Sequence, residues 1–254
     1  MTLDLIIDYI NLVLNKEQKG NSLKPTRVNT ALQAANITLY ERSYQKVGES
    51  AAEKVKPLYD ILMGSRAMKR FVVLESLVIS GTGGSLPANF REQLRAELIS
   101  GANRFPVDFV SEERLARFRF SMMETPKTDE YSMVVRGSVF SVYPNTTGTI
   151  SLVYLREAIN PVYDYCLGAN TDHEYYMPPG SVIDHGNLKS GSTVLQTNVV
   201  SKTGETSGYS STSVELDWDD AMHIAFANEM LLLLGVNLQD QLAVQMANNE
   251  RQIK

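Results

Sequence analysis

Residues 131–157, YSMVVRGSVFSVYPNTTGTISLVYLRE, decide the fold. Met133, Val135 and Val139 follow a two-residue period interrupted by Arg136-Gly137-Ser138, and Phe140, Val142, Ile150, Leu152 and Tyr154 resume it. That period belongs to antiparallel strands with one buried face, joined by tight turns at Arg136-Gly137-Ser138 and Pro144-Asn145-Thr146-Thr147-Gly148. The stretch supplies no acid, base or nucleophile set in a cleft. Its apolar alternation poses the choice between the floor of a site and a surface for another protein chain.

Upstream, the pattern is helical. Leu3, Ile6, Ile7, Ile10, Val13 and Leu14 recur at three and four, and the run stops at Lys19-Gly20-Asn21. With acids at Asp4 and Asp8 and no basic leader region, this opening reads as a mature helix rather than a targeting signal. Pro25 suits the first turn of a second helix, with Val28, Ala31, Leu32, Ala35 and Leu39 as its apolar stripe, so a tight helical hairpin is expected. A third helix is expected from Glu49 to about Met63, bent or started by Pro57. Arg70–Ser80 and Glu92–Ser100 read as strands, and Gly101-Ala102-Asn103 turns the second back into Phe105–Val110. Ser111 before Glu112 and Glu113 marks the N-cap of a short helix to about Phe120.

Downstream, Pro161-Val162-Tyr163 reads as a further strand, and composition then shifts. Residues 168–212 are rich in Gly, Ser, Thr, Asn and Tyr around the β-like VLQTNVVS, as expected of an extended arm or functional loop. Asp217-Trp218-Asp219-Asp220 caps a helix whose face is Met222, Phe226, Met230 and Leu234, with Gly235 at its C-terminus, and Gln239–Asn249 reads as a last amphipathic helix. Helices, then strands, then helices predict an α+β chain. Its parts are residues 1–69, a β-rich platform over 70–216 with an arm at about 168–212, and C-terminal helices over 217–254 that complete the helical part.

Composition narrows the chemistry. No apolar run approaches a membrane span, and the single cysteine, Cys166, rules out an intrachain disulfide and a Cys-rich zinc site. Residues 1–120 hold 17 basic and 13 acidic groups, residues 121–254 hold 7 and 16. The acidic half is a poor binder of phosphate backbones and suits a wall that DNA passes without adhering. Gly81, Gly83 and Gly84 lack both the Lys-Ser/Thr of a phosphate loop and dinucleotide spacing, and read as loop flexibility. Asp172-His173-Glu174 and Asp184-His185 hold metal-ligand types without helical spacing or a fixed third ligand, and solvated loop polarity explains them. There is no Gly-x-Ser-x-Gly elbow, Cys166 has no basic neighbour, and Asp219 and Asp220 suit a helix N-terminus better than acid–base work. No catalytic, cofactor-binding or metal residue is assigned, and an enzyme is not expected. Tyr163, Tyr165, Tyr175 and Tyr176 fit a core or an interface equally.

Four segments together resemble a known family. YINLVLNKEQKGNSLKPTRVNTALQAAN carries a helix pair around a Gly-Asn-x-Leu-x-Pro loop. Pro106-Val107-Asp108-Phe109-Val110 with Ser111-Glu112-Glu113, Arg117, Thr125-Pro126 and Val142-Tyr143-Pro144 follow, continued by Val153-Tyr154-Leu155-Arg156 and Pro161-Val162-Tyr163. Val214-Glu215-Leu216-Asp217-Trp218 leading to Leu234-Gly235-Val236-Asn237-Leu238 closes the series. In order and spacing these segments are similar to structural proteins of tailed bacteriophages that infect Bacteroidota, crAss-like phages included, which serve as neck or head-to-tail connector rings (portal adaptors). The match covers most of the chain apart from about 170–210, where family members are usually shorter.

The resemblance implies a virion protein, made in the bacterial host cytoplasm, that forms a homo-oligomeric ring of twelve copies between the portal protein and an adjacent tail ring protein. Genomic DNA would pass through its channel without specific binding, and no membrane is involved. A closing ring needs two different complementary patches on each subunit. Tyr143, Pro144, Tyr163, Tyr165, Tyr175, Tyr176 and Trp218 are the interface candidates. A tail-tube or hub ring would share these features, and a non-viral adaptor module would not assemble into rings.

Overall fold

The first helix, α1, spans Leu3–Glu17 and buries Leu3, Ile6, Ile7 and Ile10, the stripe its three-four spacing predicts. The computed structural model to which it belongs describes residues 2–17, 25–54, 57–120, 130–168, 171–180, 182–183 and 209–234. The chain is a mixture of helices and a seven-stranded mixed sheet, and it divides into two compact units, residues 1–43 with 159–254 and residues 44–158. These boundaries fall at 43/44 and 158/159, whereas the layout of expected helices and strands divides the sequence at 69/70 and 216/217.

Helix α2 begins at Pro25 as expected but runs on to Lys54. Residues 40–48 contain no proline, and the lone Gly48 costs only about 1 kcal/mol, too little by itself to end the helix. The expected third helix is therefore divided. Glu49–Lys54 belongs to α2, and α3 spans Leu58–Gly64, with Pro57 as its N-cap accepting from the Asp60 and Ile61 amides.

In the first unit, α1 packs against α5 (His223–Leu233). Asp219 caps the single 3-10 turn before α5, its Oδ1 accepting from the Ala221 amide. Residues 161–163 make no strand, only one bridge between Val162 and Val214. Of the expected arm, the hairpin β8 (Tyr165–Gly168) with β9 (Thr171–Tyr176) and the short pair β10 (Val182–Ile183) with β11 (Tyr209–Ser210) are described. VLQTNVVS, Gly235 and the helix expected at Gln239–Asn249 lie outside the described residues.

The second unit is built on β1 (Val72–Ile79), β2 (Gly83–Ser85), β3 (Phe90–Ser100), β4 (Asn103–Phe109), β5 (Tyr131–Arg136), β6 (Val139–Tyr143) and β7 (Gly148–Arg156), in the order β1-β7-β3-β4-β5-β6-β2. The platform expected to be antiparallel is mixed, because β4 and β5 run parallel. A parallel neighbour needs a crossover of about a dozen residues or more, which α4 (Glu112–Phe120) and its flanks provide. Ser111 Oγ accepts from the Arg114 amide, so the predicted N-cap stands.

Inward-facing side chains follow the two-residue period through Leu77 and Ile79, Ile150, Leu152 and Tyr154, Ala96 and Leu98, Val107, Met133, and Phe140 and Val142, in one cluster. The β1–β2 turn, bridged at Ser80 and Gly83, brings the first and last strands of the order together, so the sheet curls around this core. The glycines of that turn are therefore not loop flexibility. A Cβ on Gly83 would lie 1.9 Å from the Phe140 carbonyl oxygen, and one on Gly84 2.8 Å from that of Val78. At Gly81, φ of 70° supplies the left-handed step. The second part of α2 is tied to β3 through Tyr44, whose hydroxyl donates to Glu92 and whose ring lies 4.8 Å beneath Arg91.

Candidate interaction surface

Buried polar groups of the first unit fix what it can present. Asn29 and Asn36 lie seven residues apart on the apolar face of α2 and are both buried. Asn29 holds the backbone of Tyr163 at both ends, Nδ2 donating to its carbonyl at 2.9 Å and Oδ1 accepting its N–H at 2.8 Å. Asn36 Nδ2 donates to the Ile159 carbonyl and to Asn160 Oδ1, each at 3.2 Å. Asp164, also buried, accepts the Thr212 amide at 3.0 Å, and its own amide donates to Ser213 Oγ at 2.9 Å. Glu229 on α5 is nearly buried and receives both guanidinium nitrogens of Arg42, at 2.7 and 3.2 Å. His223 is buried too, with Nε2 3.2 Å from the Trp218 carbonyl and Nδ1 3.3 Å from Asp220 Oδ1 without hydrogen-bond geometry.

These contacts sort the interface candidates. Trp218 is 1% exposed, its indole bonded to Asn36 and edge-on to Tyr40, so it is core of this unit and offers no area to a partner unless the unit opens. Tyr163 is likewise buried, stacked on Tyr176 at 5.2 Å. Tyr176 is partly exposed, and its hydroxyl donates to Glu215 Oε1 at 2.7 Å. Burial first and the Glu215 hydrogen bond second push its pKa well above the usual tyrosine value. Tyr165 and Tyr175 sit on the paired strands β8 and β9, opposite Tyr176 and Cys166 respectively. Tyr143 and Pro144, joined by a cis peptide bond at the end of β6, are partly exposed, and the Tyr143 hydroxyl donates to the Phe118 carbonyl at 3.4 Å. The candidates divide between the two units, Tyr143 and Pro144 in the second and the other five in the first.

What the sequence reading passed over is a second apolar side on α1. Leu5, Tyr9 and Leu12, at i, i+4 and i+7, are all exposed, Leu12 by 59%. Asp4 and Asp8 border them on one side of the helix, and Glu215 is near, its Oε2 accepting the Leu3 amide at 2.9 Å. Burial, then the carboxylates of Asp8 and Glu215, raise the Asp4 pKa. The signal was present in the sequence as apolar residues around most of the helix, masked by the stronger inward stripe.

The second unit has its own exposed apolar face. On β1, Leu74 and Val78 point away from the core and are 67% and 73% exposed. Their cross-strand neighbours on that face are Val153 and Thr149 of β7, which in turn neighbour Arg95 and Ile99 of β3. Arg95 and Arg104 are mostly exposed and share Glu97 between them. Natural edge strands are usually charged or covered, whereas β1, the first strand of the order, exposes two large aliphatic residues.

Among the described residues no group of three His, Cys, Asp or Glu side chains is placed to hold a metal ion, and no helix is long and apolar enough to cross a membrane. His185 lies outside the described residues, and for His173 only its place on β9 is described. No protein-family model and no curated protein matches the chain.

Proposed function

We propose that this chain is a structural virion protein that forms a neck ring, joining the capsid portal to the tail and enclosing the channel through which DNA leaves. In this reading twelve copies match the portal, the N-terminal helical hairpin packs with the C-terminal helices, and residues 168–212 reach out as an arm to a neighbouring ring. The protein is not an enzyme and carries no cofactor.

The observation that carries the reading is the ordered series of segments from Tyr9 to Leu238 that resembles connector proteins of Bacteroidota phages. Two further features support it. Unit one holds 16 acidic and 9 basic groups, suited to a channel wall that repels phosphate, and unit two holds 13 and 15. Each unit also exposes large aliphatic side chains, Leu5 and Leu12 on one and Leu74 and Val78 on the other, as a subunit with two distinct contact faces requires.

Mass photometry of the purified chain, alone and with a purified phage portal ring, tests the reading. A ring-sized species, or portal rings gaining mass in steps of one chain, is the expected result. A chain that stays monomeric and leaves the portal mass unchanged would overturn it.

A further inference from the structure

We infer that the outward side of α1 in one copy of the chain docks on the outer face of β1, β7 and β3 in a second copy, head to tail. This rests on the ring reading only in that a ring offers a place for such a contact, since the two surfaces are complementary whatever assembly they serve.

The first surface is a helix stripe, Leu5, Tyr9 and Leu12, bordered by Asp4 and Asp8. The second is a sheet face, Leu74 and Val78 with the half-buried Val153 and Ile99, bordered by Arg95 and Arg104. An apolar helix stripe laid on an apolar sheet face is one of the few stable layer packings. Their lengths agree. Leu5 to Leu12 spans about 10 Å along a helix, and Leu74 to Val78 about 13 Å along a strand. Their charges are biased in opposite directions, two acids beside the helix stripe and two guanidinium groups around the single carboxylate of Glu97 on the sheet face, and the two units as wholes are biased the same way. Burial first, and the carboxylates of Asp8 and Glu215 second, raise the Asp4 pKa, and an incoming arginine offsets the second of these causes.

A second copy is the favoured occupant because both halves of the contact are carried by one chain and neither is self-complementary. Two α1 helices would oppose acid to acid, and two β1 faces would bring arginines together. Such a heterologous contact propagates from copy to copy and closes into a ring when the rotation allows.

Charge exchange tests it on the full chain. Variant A carries Asp4→Lys and Asp8→Lys, variant B carries Arg95→Glu and Arg104→Glu, and circular dichroism confirms that each is folded. Wild type is expected to self-associate by mass photometry and to lose about tenfold in affinity between low and about 0.5 M salt. A and B alone are expected to be monomers, and an equimolar mixture to regain assemblies with the two variants alternating. Leu74→Lys with Val78→Lys, which leaves every acid and arginine in place, is expected to be monomeric at all salt concentrations and not to be rescued by either partner's charge. A monomeric wild type, variants that associate as wild type does, or a mixture that stays monomeric would each overturn the contact. So would variants that change only portal binding, since the occupant would then be the portal. Failure of the contact is separable from failure of the neck reading. Rings or portal binding that survive in A and B sink the first alone, and rescued A–B assemblies that ignore the portal sink the second alone.

Discussion

The indole N–H of Trp218 donates to Asn36 Oδ1 at 2.8 Å, setting the chain's single tryptophan against a helix amide that also donates to Ile159 and Asn160. One buried amide thus joins α2, the segment after residue 158 and the stretch that leads into α5.

Replacing Asn36 with Leu keeps the volume and removes the acceptor of the buried indole N–H, whereas the Ile159 carbonyl belongs to a half-exposed residue that water can reach. An unsatisfied buried group costs about 1–3 kcal/mol, so a loss of that size is expected. Trp218 is the sole tryptophan, and its emission during urea unfolding reports on the first unit directly. An unfolding midpoint unchanged from wild type would show that the amide is dispensable.

The Arg42–Glu229 pair has unequal partners, since the carboxylate is nearly buried and the guanidinium half exposed. Arg42→Ala leaves a buried charge behind and is expected to cost about 2–3 kcal/mol, whereas Glu229→Gln leaves only an exposed cation short of a partner and costs about 1 kcal/mol. The ordering is the test, read from urea midpoints. Equal losses would mean that the carboxylate is solvated once Arg42 is gone.

Tyr154 gives the second unit an alkaline limit. Its hydroxyl donates to Glu75 at 2.9 Å and lies 3.1 Å from Asn89 Oδ1, and burial, then the Glu75 carboxylate, push its pKa up from 10 to about 12. The fold favours the neutral phenol, so this contribution is whole below pH 10 and is lost as pH rises through about 12. Tyr176 moves in the same direction in the first unit. Thermal melts at stepped pH are expected to show a steep loss across that window, and Tyr154→Phe to flatten it. An unchanged alkaline slope in the variant would remove Tyr154 as its cause.

Much of this was legible from residues alone, for reasons that differ by element. The inward stripe of α1, the strands around Tyr131–Glu157 and the cap at Ser111 followed from period and local hydrogen bonding, which a sequence carries directly. The parallel β4–β5 pair did not, because pairing direction is set by where a crossover lands, and nothing in residues 110–130 states that. The length of α2 was lost because its apolar periodicity is weak and only proline stops a helix unambiguously. Asn29 and Asn36 look like surface residues until their partners, more than a hundred residues away, are known. Six of the seven interface candidates are aromatic, yet Trp218 and Tyr163 lie in the core, while aliphatic residues, Leu74 and Val78, stay outside.

The glycines of the β1–β2 turn give the sharpest separation between a loop and a built corner. Gly81 has φ of 70° and open space around its Cα, so Gly81→Ala meets only the left-handed backbone penalty, about 1–2 kcal/mol. Gly83 lies outside the left-handed region, yet a Cβ there would overlap the Phe140 carbonyl oxygen at 1.9 Å, a backbone atom that cannot rotate away. Gly83→Ala must push β2 off β6 and open the place where the sheet's first and last strands meet, so a loss above about 3 kcal/mol is expected, with faster amide exchange at Val142, whose N–H donates to the Thr82 carbonyl. Were these residues a mere loop, the order would reverse, because only the positive φ of Gly81 would then resist a side chain. Urea midpoints for the two variants, with exchange at Val142, decide between the two.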